Sequence, residues 1–137
     1  MSEMRLLDLF CGAGGAGMGY HRAGFDVVGV DIAPQPRYPF EFHRSPALKY
    51  LRDHGHEFDA IHASPPCQGY SRTRHLPWLK DKKHPMLITR TLKALHELGD
   101  IPWVVENVGD APLAGIRLTG GMFGLPYRRL RVFQSNV

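Results

Sequence analysis

The chain has 137 residues, of which 43% are hydrophobic and 22% are charged. This length and composition are typical of one globular domain with a hydrophobic core, and no apolar run approaches the length of a membrane span. The formal net charge of +4 permits a nucleic-acid partner without requiring one. Two cysteines, far apart in the chain, predict free thiols and a cytoplasmic location rather than a disulfide framework.

Short apolar runs alternate along the chain with longer amphipathic runs, which predicts strands alternating with helices. The predicted strands cover residues 6–10, 27–32, 60–63, 103–105 and 131–133. The predicted helices are a short one ending near Ala23, one running from Pro46 to about His54 with Ser45 as N-cap, and one from Pro85 to Gly99. This order favours a mostly parallel α/β sheet with helices on both faces, in which ligands bind at the carboxyl ends of the strands.

The glycine-rich segment DLFCGAGGAGMGY, after the first strand, predicts a cofactor loop. Residues 12–17 satisfy G-x-G-x-x-G, in which glycines let the backbone turn sharply and approach a ligand closely. Asp31 lies nineteen positions after Gly12, at the end of the second strand, where a carboxylate can accept hydrogen bonds from ribose hydroxyls. The two features indicate a cofactor that contains a nucleoside, either a dinucleotide or S-adenosylmethionine.

The segment DAIHASPPCQGYS carries a cysteine directly after two prolines. Proline fixes φ and favours extended geometry in the residue before it, so this turn is stiff and presents Cys67 at a fixed position. Fixed placement favours a nucleophile, because entropy lost in advance need not be lost at the transition state. Glu106, in WVVENV, follows three apolar strand residues, and there a carboxylate can be a proton donor or a structural ion-pair partner. His62, on the strand before the turn, is interpreted as a structural residue of the core.

Four segments, in the order DLFCGAGGAG, SPPCQGYS, VVENV and YRRLRVF, resemble those of the cytosine-5 DNA methyltransferase family. The likeness spans nearly the whole chain, and its most specific part is Pro-Pro-Cys-Gln followed later by Glu-Asn-Val. The segment GVDIAPQPRYPFEF looks most like compact members from bacteriophages and their actinobacterial hosts. The resemblance implies the Rossmann-like fold of S-adenosylmethionine-dependent methyltransferases, with residues 1–137 forming one catalytic domain.

The resemblance also implies a mechanism on double-stranded DNA. The Cys67 thiolate would add to carbon 6 of a flipped-out cytosine, carbon 5 would take the methyl group of S-adenosylmethionine, and loss of the carbon-5 proton would expel the thiol. Glu106 would protonate ring nitrogen 3, Asn107 would brace the proline turn, and Arg131 would contact the base or a phosphate. Further nucleic-acid contacts would come from Arg129, Gln68, Ser71, Arg72 and Arg74.

For the cofactor, the resemblance implies that the adenine lies between Phe10 and Ile32 and that Asp31 holds the ribose. The backbone near Pro65 would border the transferred methyl group. The residues approaching the methionine part would be Gly12, Gly14 and Gly15. The sequence contains no metal-binding pattern, so no metal is expected.

Three departures from the family pattern stand out. Relatives usually carry an acid that accepts a hydrogen bond from the adenine amino group, and the matching position here is Pro46. One lost hydrogen bond weakens binding about tenfold. Tyr127 replaces the glutamine that many members have before the arginines. The chain ends at RVFQSNV, without the family's target-recognition region. We therefore expect a catalytic half only, completed by missing sequence or by a second polypeptide.

Three other interpretations stay open. The same thiol chemistry could act on RNA, because it does not depend on the sugar. A truncated fold could bind the cofactor and regulate a partner without catalysis. A nicotinamide-dependent oxidoreductase would explain the glycine loop and Asp31, but it would leave Cys67 and Glu106 without a role.

Overall fold

The computed structural model of the chain describes residues 3–66, 87–108, 111, 113–126 and 129–137. The strands are β1 (Arg5–Leu9), β2 (Asp26–Asp31), β3 (Glu41–Arg44), β4 (Ala60–Ala63), β5 (Trp103–Val108), β6 (Ile116–Leu118) and β7 (Arg131–Ser135). The α-helices within these residues are α1 (Gly15–Arg22), α2 (Ala47–His54) and α3 (Leu87–Leu98). Short 3₁₀ turns occur at Gly55–Glu57 and Gly120–Phe123.

All seven strands belong to one sheet, in the order β3-β2-β1-β4-β5-β7-β6. The neighbours from β3 to β5 are parallel, whereas β7 runs antiparallel to both β5 and β6. From β1 the chain adds β2 and β3 on one side, and it then crosses back to place β4 on the other side. In an open α/β sheet, such a reversal leaves a crevice at the carboxyl ends of the strands.

The register of the sheet separates an apolar face from a polar face. Leu7 pairs with Ile61, and both belong to the larger hydrophobic core, together with buried residues of α2 and α3. The next pair, Asp8 with His62, points to the opposite face because side chains alternate along a strand. Glu106 lies on this second face too, because Val104, two residues earlier, pairs with His62. Asp8, His62 and Glu106 therefore lie on one face of the sheet, and the larger hydrophobic core lies on the other.

Tyr38 packs over the backbone of Gly29 on the polar face. Its hydroxyl donates to Asp8 Oδ2 at 3.0 Å, and its side chain is buried. A Cβ atom at position 29 would overlap the Tyr38 ring, so the close approach requires glycine there. The surrounding segment APQPRYP is rich in proline, a composition typical of turns, and Tyr38 within it is part of the smaller hydrophobic cluster.

The predicted strands at 6–10, 27–32, 60–63, 103–105 and 131–133 all occur. The bounds of 60–63 match those of β4, the first two strands begin and end one residue earlier than predicted, and the last two extend further. The predicted start of the third helix at Pro85 lies outside the described residues, and Gly99, with a φ of 102°, follows its end as expected. The edge strands β3 and β6 have no counterpart among the predictions. They have 4 and 3 residues and no buried side chain, so they lack the apolar run that predicts a strand.

The predicted start of α2 is wrong by one residue. Pro46 is the N-cap, with φ −56° and ψ 128°, and its carbonyl accepts the first helical hydrogen bond, from Tyr50 N. The Ser45 hydroxyl donates to the Pro46 carbonyl at 3.1 Å instead of capping the helix. The extended ψ of the proline is what displaces the helix start. Among the described residues, no helix is both long and apolar enough to cross a membrane.

We expect Gly29→Ala to destabilise the fold by roughly 1–3 kcal/mol, because the new methyl group forces Tyr38 away from Asp8. Urea unfolding followed by circular dichroism measures the loss. Gly19→Ala is the matched control, since position 19 lies in α1 with no neighbouring atom near its Cβ. Alanine favours helix there by up to about 1 kcal/mol. Equal midpoints for the two variants would contradict the packing of Tyr38 on Gly29.

Candidate functional site

Two cavities open at the carboxyl edge of the sheet. Both are lined by Phe10, which follows β1, and by Ser64, which follows β4. Phe10 has a φ of 57°, a left-handed conformation that is uncommon for a residue with a bulky side chain. Strained backbone of this kind persists where the surrounding structure fixes it, and it often marks a functional site.

The larger cavity has a volume of about 760 Å³, within the range of small-molecule sites. Its walls come from the loop after β1, the end of β2, the first turns of α2, the segment after β4 and one side of α3. The predicted cofactor residues among its lining are Phe10, Gly12, Asp31 and Ile32. Gly14 and Gly15 do not line it: Gly14 is the left-handed N-cap of α1, with φ 103°, and Gly15 is the first helical residue.

Asp31 is fixed in the larger cavity by two backbone donors. Gly12 N donates to one carboxylate oxygen and Ala33 N to the other, each at 3.0 Å. A carboxylate has about four acceptor positions, so both oxygens keep capacity for a ligand's hydroxyl groups. The neighbouring Ile32 is 67% exposed and offers apolar surface to a ring. The glycine loop and the acid, separated by nineteen positions in the sequence, therefore form one connected unit.

The part of the larger cavity that α2 and α3 line differs in charge from the part that contains Asp31. Pro46 lines it, and the carbonyl of this proline already accepts from Tyr50 N, so position 46 supplies no side-chain acceptor. The charged lining residues on the two helices are mostly cationic: Lys49, Arg52, Arg90, Lys93 and the single acid Glu97.

The smaller cavity, of about 450 Å³, brings together three residues predicted for catalysis or nucleic-acid contact: Glu106, Arg129 and Arg131. Arg131 Nε lies 3.3 Å from Glu106 Oε1, and both side chains are about one-fifth exposed. The contact follows from the register, since Glu106 pairs with Phe133 and Arg131 is its diagonal neighbour on the same face. Glu106 therefore has an ion-pair partner inside a cavity, and the ion pair does not exclude a role with a ligand there.

Hydrogen bonds on both sides fix the segment that leads to Cys67. Ser64 N donates to the Leu9 carbonyl at 3.2 Å, which extends the pairing of β4 with β1. Asn107 Nδ2 donates to the Pro65 carbonyl at 2.7 Å, and both residues are buried. The bracing of the turn expected from Asn107 is thus present. Pro66 lines the larger cavity, whereas the role of Pro65 beside a methyl group stays a prediction.

Buried polar groups lie beneath the smaller cavity, on the polar face of the sheet. Burial raises the pKa of Asp8 to about 7, although the Tyr38 hydroxyl partly offsets the shift. Burial lowers the pKa of His62 to about 4, so its ring is neutral near neutral pH. Burial and the charges of Asp8 and Asp31 raise the pKa of Cys11 to about 12. A thiol that stays protonated is a poor nucleophile, which agrees with Cys11 as a small packing residue.

Several predicted site residues lie outside the described residues: Cys67, Gln68, Ser71, Arg72 and Arg74. Tyr127 lies outside them as well. In the part of the chain that the structure describes, no three histidine, cysteine or acidic side chains are grouped so that they could hold a metal ion.

The residues of the site that were not among the predictions include Ser64 and Asp8, as lining residues, and His62, as a hydrogen-bonded one. Both ring nitrogens of His62 have a hydroxyl partner, Tyr20 on one side and Ser64 on the other. The strand runs LLDL and AIHA each contain one polar residue among apolar ones, at paired positions. That coincidence is the sequence signal that could have indicated a polar layer.

The chain is similar to known methyltransferases. The family model described as C-5 cytosine-specific DNA methylase matches residues 4–111. The type II methyltransferase M.FnuDI of Fusobacterium nucleatum is 28% identical over 112 residues, which is 77% of this chain. Two solved structures each cover 98% of the chain: the S. pombe Dnmt2 methyltransferase, with a TM-score of 0.67 at 16% identity, and a SAM-dependent methyltransferase from Agrobacterium tumefaciens, with 0.60 at 14%.

These similarities differ in what they show. At such low identities, the structural likeness shows the fold, which is the mostly parallel sheet of the SAM-dependent methyltransferases. The chain spans 32% of the length of the Fusobacterium enzyme, and it spans 49% and 55% of the two solved structures.

The titrations of Asp8 and His62 should make the stability of the fold depend on pH in opposite directions. The folded pKa of Asp8 is raised from 3.8 to about 7, so its contribution to stability is lost as pH rises through that window. The folded pKa of His62 is lowered from 6.5 to about 4, so stability falls as pH drops through that window. We expect the stability of Asp8→Asn relative to wild type to rise from pH 4 to pH 7, by on the order of 4 kcal/mol.

His62→Gln should show the reverse trend, gaining relative to wild type as pH falls from 6.5 to 4. Urea unfolding at several pH values gives both difference curves. Gly19→Ala, which changes no titratable group, is the control, and its difference from wild type should change little with pH. Difference curves that slope in the same direction for Asp8→Asn and His62→Gln would contradict the burial of one or both groups.

Proposed function

Because the chain belongs to the family of C-5 cytosine-specific DNA methylases, we propose that it transfers a methyl group from S-adenosylmethionine to carbon 5 of cytosine in DNA. One observation carries the proposal furthest. The cavity that contains Asp31 and the cavity that contains Glu106 share the residues Phe10 and Ser64. A methyl donor in the first and a base in the second would be neighbours across this shared wall.

S-adenosylmethionine is the cofactor of this family, and the residues of the larger cavity fit it. Asp31 offers a carboxylate to the ribose hydroxyls, while Phe10 and Ile32 offer apolar surface to the adenine. The loop at Gly12 would border the methionine part, and Gly14 and Gly15 would act by shaping that loop. When bound, S-adenosylmethionine supplies the methyl group. Pro46 leaves the adenine amino group without a side-chain acceptor, which predicts weaker binding than in relatives with an acid there.

The smaller cavity is proposed as the site of the cytosine. Cys67 would form a bond to carbon 6, and the turn of Ser64 to Pro66, held by Asn107, supports a fixed position for its thiol. Glu106 would protonate ring nitrogen 3, while Arg131 keeps its carboxyl group in place. After methylation, loss of the proton from carbon 5 restores the ring double bond and breaks the bond between carbon 6 and sulfur.

Double-stranded DNA is the proposed partner of the open side of this cavity. Arg129 is exposed at its rim and can reach a phosphate. Further proposed contacts come from the segment after the cysteine: Gln68, Ser71, Arg72 and Arg74. Base recognition is proposed to come from polypeptide beyond these 137 residues, in the same protein or in a second chain. We place the reaction in the cytoplasm, where thiols stay reduced.

We expect Asp31→Asn to weaken binding of S-adenosylmethionine by about ten- to a hundredfold, because charged hydrogen bonds contribute about 1.5–3 kcal/mol. Isothermal titration calorimetry measures the dissociation constants. Asp26→Asn, at the opposite end of the same strand, is the matched control and should bind like wild type. Binding of a nicotinamide dinucleotide in place of S-adenosylmethionine would exclude the methyltransferase and favour the oxidoreductase.

We expect wild type to form a covalent adduct with DNA that contains 5-fluorocytosine when S-adenosylmethionine is present. Fluorine replaces the carbon-5 proton whose loss would release the thiol, so the adduct persists. Denaturing electrophoresis and mass spectrometry locate the adduct. Cys67→Ser should form none, Glu106→Gln should form it about a hundredfold or more slowly, and Cys11→Ala is the matched cysteine control that retains it. Cofactor binding without any adduct would support a binding module instead. Labelled methyl transfer to RNA but not to DNA would show that RNA is the substrate.

A further inference from the structure

We propose that the hydrogen-bond chain Tyr20–His62–Ser64 is a positioning device for methyl transfer, which orients the Ser64 hydroxyl at the wall shared by the two cavities. The inference rests on the proposed function and extends it to residues outside the reacting groups. Tyr20 comes from α1, His62 from β4 and Ser64 from the segment before the proline turn, so the chain of hydrogen bonds ties a helix to the site.

The geometry of the chain is continuous. The Tyr20 hydroxyl lies 2.9 Å from His62 Nδ1, and His62 Nε2 lies 2.7 Å from Ser64 Oγ. The His62 side chain is only 4% exposed, and the Tyr20 ring stands edge-on to the imidazole at 5.3 Å. Both nitrogens are therefore occupied, and the ring has no room to turn away from either partner.

The direction of the hydrogen bonds follows from the donors. A neutral imidazole carries one ring proton, so it accepts at one nitrogen and donates at the other. A phenol is a stronger donor than an aliphatic alcohol, so we assign Tyr20 as the donor to Nδ1 and Nε2–H as the donor to Ser64 Oγ. Ser64 then accepts from His62, so its own proton is available to a ligand in either of the two cavities that this residue lines.

The backbone of Ser64 is held as well as its side chain. Its N–H donates to the Leu9 carbonyl, and the next residue, Pro65, accepts from Asn107. With three anchors around one residue, the hydroxyl keeps its place when ligands fill the cavities. A preorganised donor of this kind lowers the barrier of a reaction more than it strengthens binding. His62 acts as a fixed support rather than as a proton relay, because its burial opposes protonation.

The plain alternative is a core histidine whose hydrogen bonds serve stability alone, and two matched variants separate the roles. In His62→Gln, the amide reaches the position of Nε2, so the variant can keep the bond to Ser64 and loses the one to Tyr20. In His62→Asn, the amide occupies the position of Nδ1, so the variant can keep Tyr20 and loses Ser64. Both variants lose the aromatic contact, and similar decreases in melting temperature are expected.

We expect the kcat of His62→Asn to fall about tenfold below that of His62→Gln, with KM values for S-adenosylmethionine and DNA within about twofold of each other, because His62→Asn loses the hydrogen bond that orients the Ser64 hydroxyl. Steady-state labelled methyl transfer to DNA by this chain, assayed together with the polypeptide that supplies base recognition, gives both constants. In a double-mutant cycle, Tyr20→Phe should lower kcat in wild type and add nothing in Ser64→Ala. Phe58→Leu, buried just before the amino end of β4, is a destabilised control whose kcat should be unchanged.

The outcomes are distinguishable. If wild type, assayed with the polypeptide that supplies base recognition, forms no 5-methylcytosine, the proposed function fails and this inference is overturned with it. In a second case, wild type is active, and kcat decreases in proportion to the melting temperature in all three variants, His62→Gln, His62→Asn and Phe58→Leu. That result overturns only the positioning role. Imidazole ¹⁵N spectra provide a readout that does not need turnover: we expect a neutral ring protonated at Nε2 at pH 7, and a ring protonated at Nδ1 would overturn the assigned direction.

Discussion

The hydrogen bond from the Asn107 side chain to the Pro65 carbonyl is the constraint on which the carboxyl edge of the sheet depends. Proline has no N–H, so residues 65 and 66 cannot extend the pairing of β4 with its neighbours as donors. The 2.7 Å bond from β5 replaces what the ladder cannot supply, and it ties the turn to the strand that carries Glu106. Without it, the buried carbonyl would lack a partner, and the wall between the two cavities would lose its anchor on one side.

The two faces of the sheet divide stability from chemistry. The face that packs against α2 and α3 is almost wholly apolar, and it buries leucine, valine and isoleucine from five strands. The opposite face buries Asp8 and His62 against α1, at positions where hydrophobic side chains would be more stabilising. Such a loss of stability is typical of buried polar groups that belong to a functional site, and here both residues line the smaller cavity.

The functional edge could be predicted from the sequence because its determinants are local. A glycine loop after a strand, an acid at the end of the next strand and a carboxylate after an apolar run each follow from a few neighbouring residues, and the structure brings Gly12, Asp31 and Glu106 to one edge. The burial of Tyr38 could not be predicted, because it depends on the space above Gly29, a residue of β2. The same reason applies to His62: its partners come from α1 and from the turn, and only the folded register places them together. The edge strands were missed because neither β3 nor β6 buries a side chain.

The larger cavity is built from segments that span residues 10 to 97, so it exists only when most of the sheet has formed. A ligand that fits it has nothing comparable to bind in the unfolded chain. Occupancy would therefore act on the whole domain by mass action, adding about 2.7 kcal/mol to the unfolding free energy at a free ligand concentration a hundred times the Kd. Resistance of the protein to heat or to proteolysis would then report on the cofactor supply of the cell.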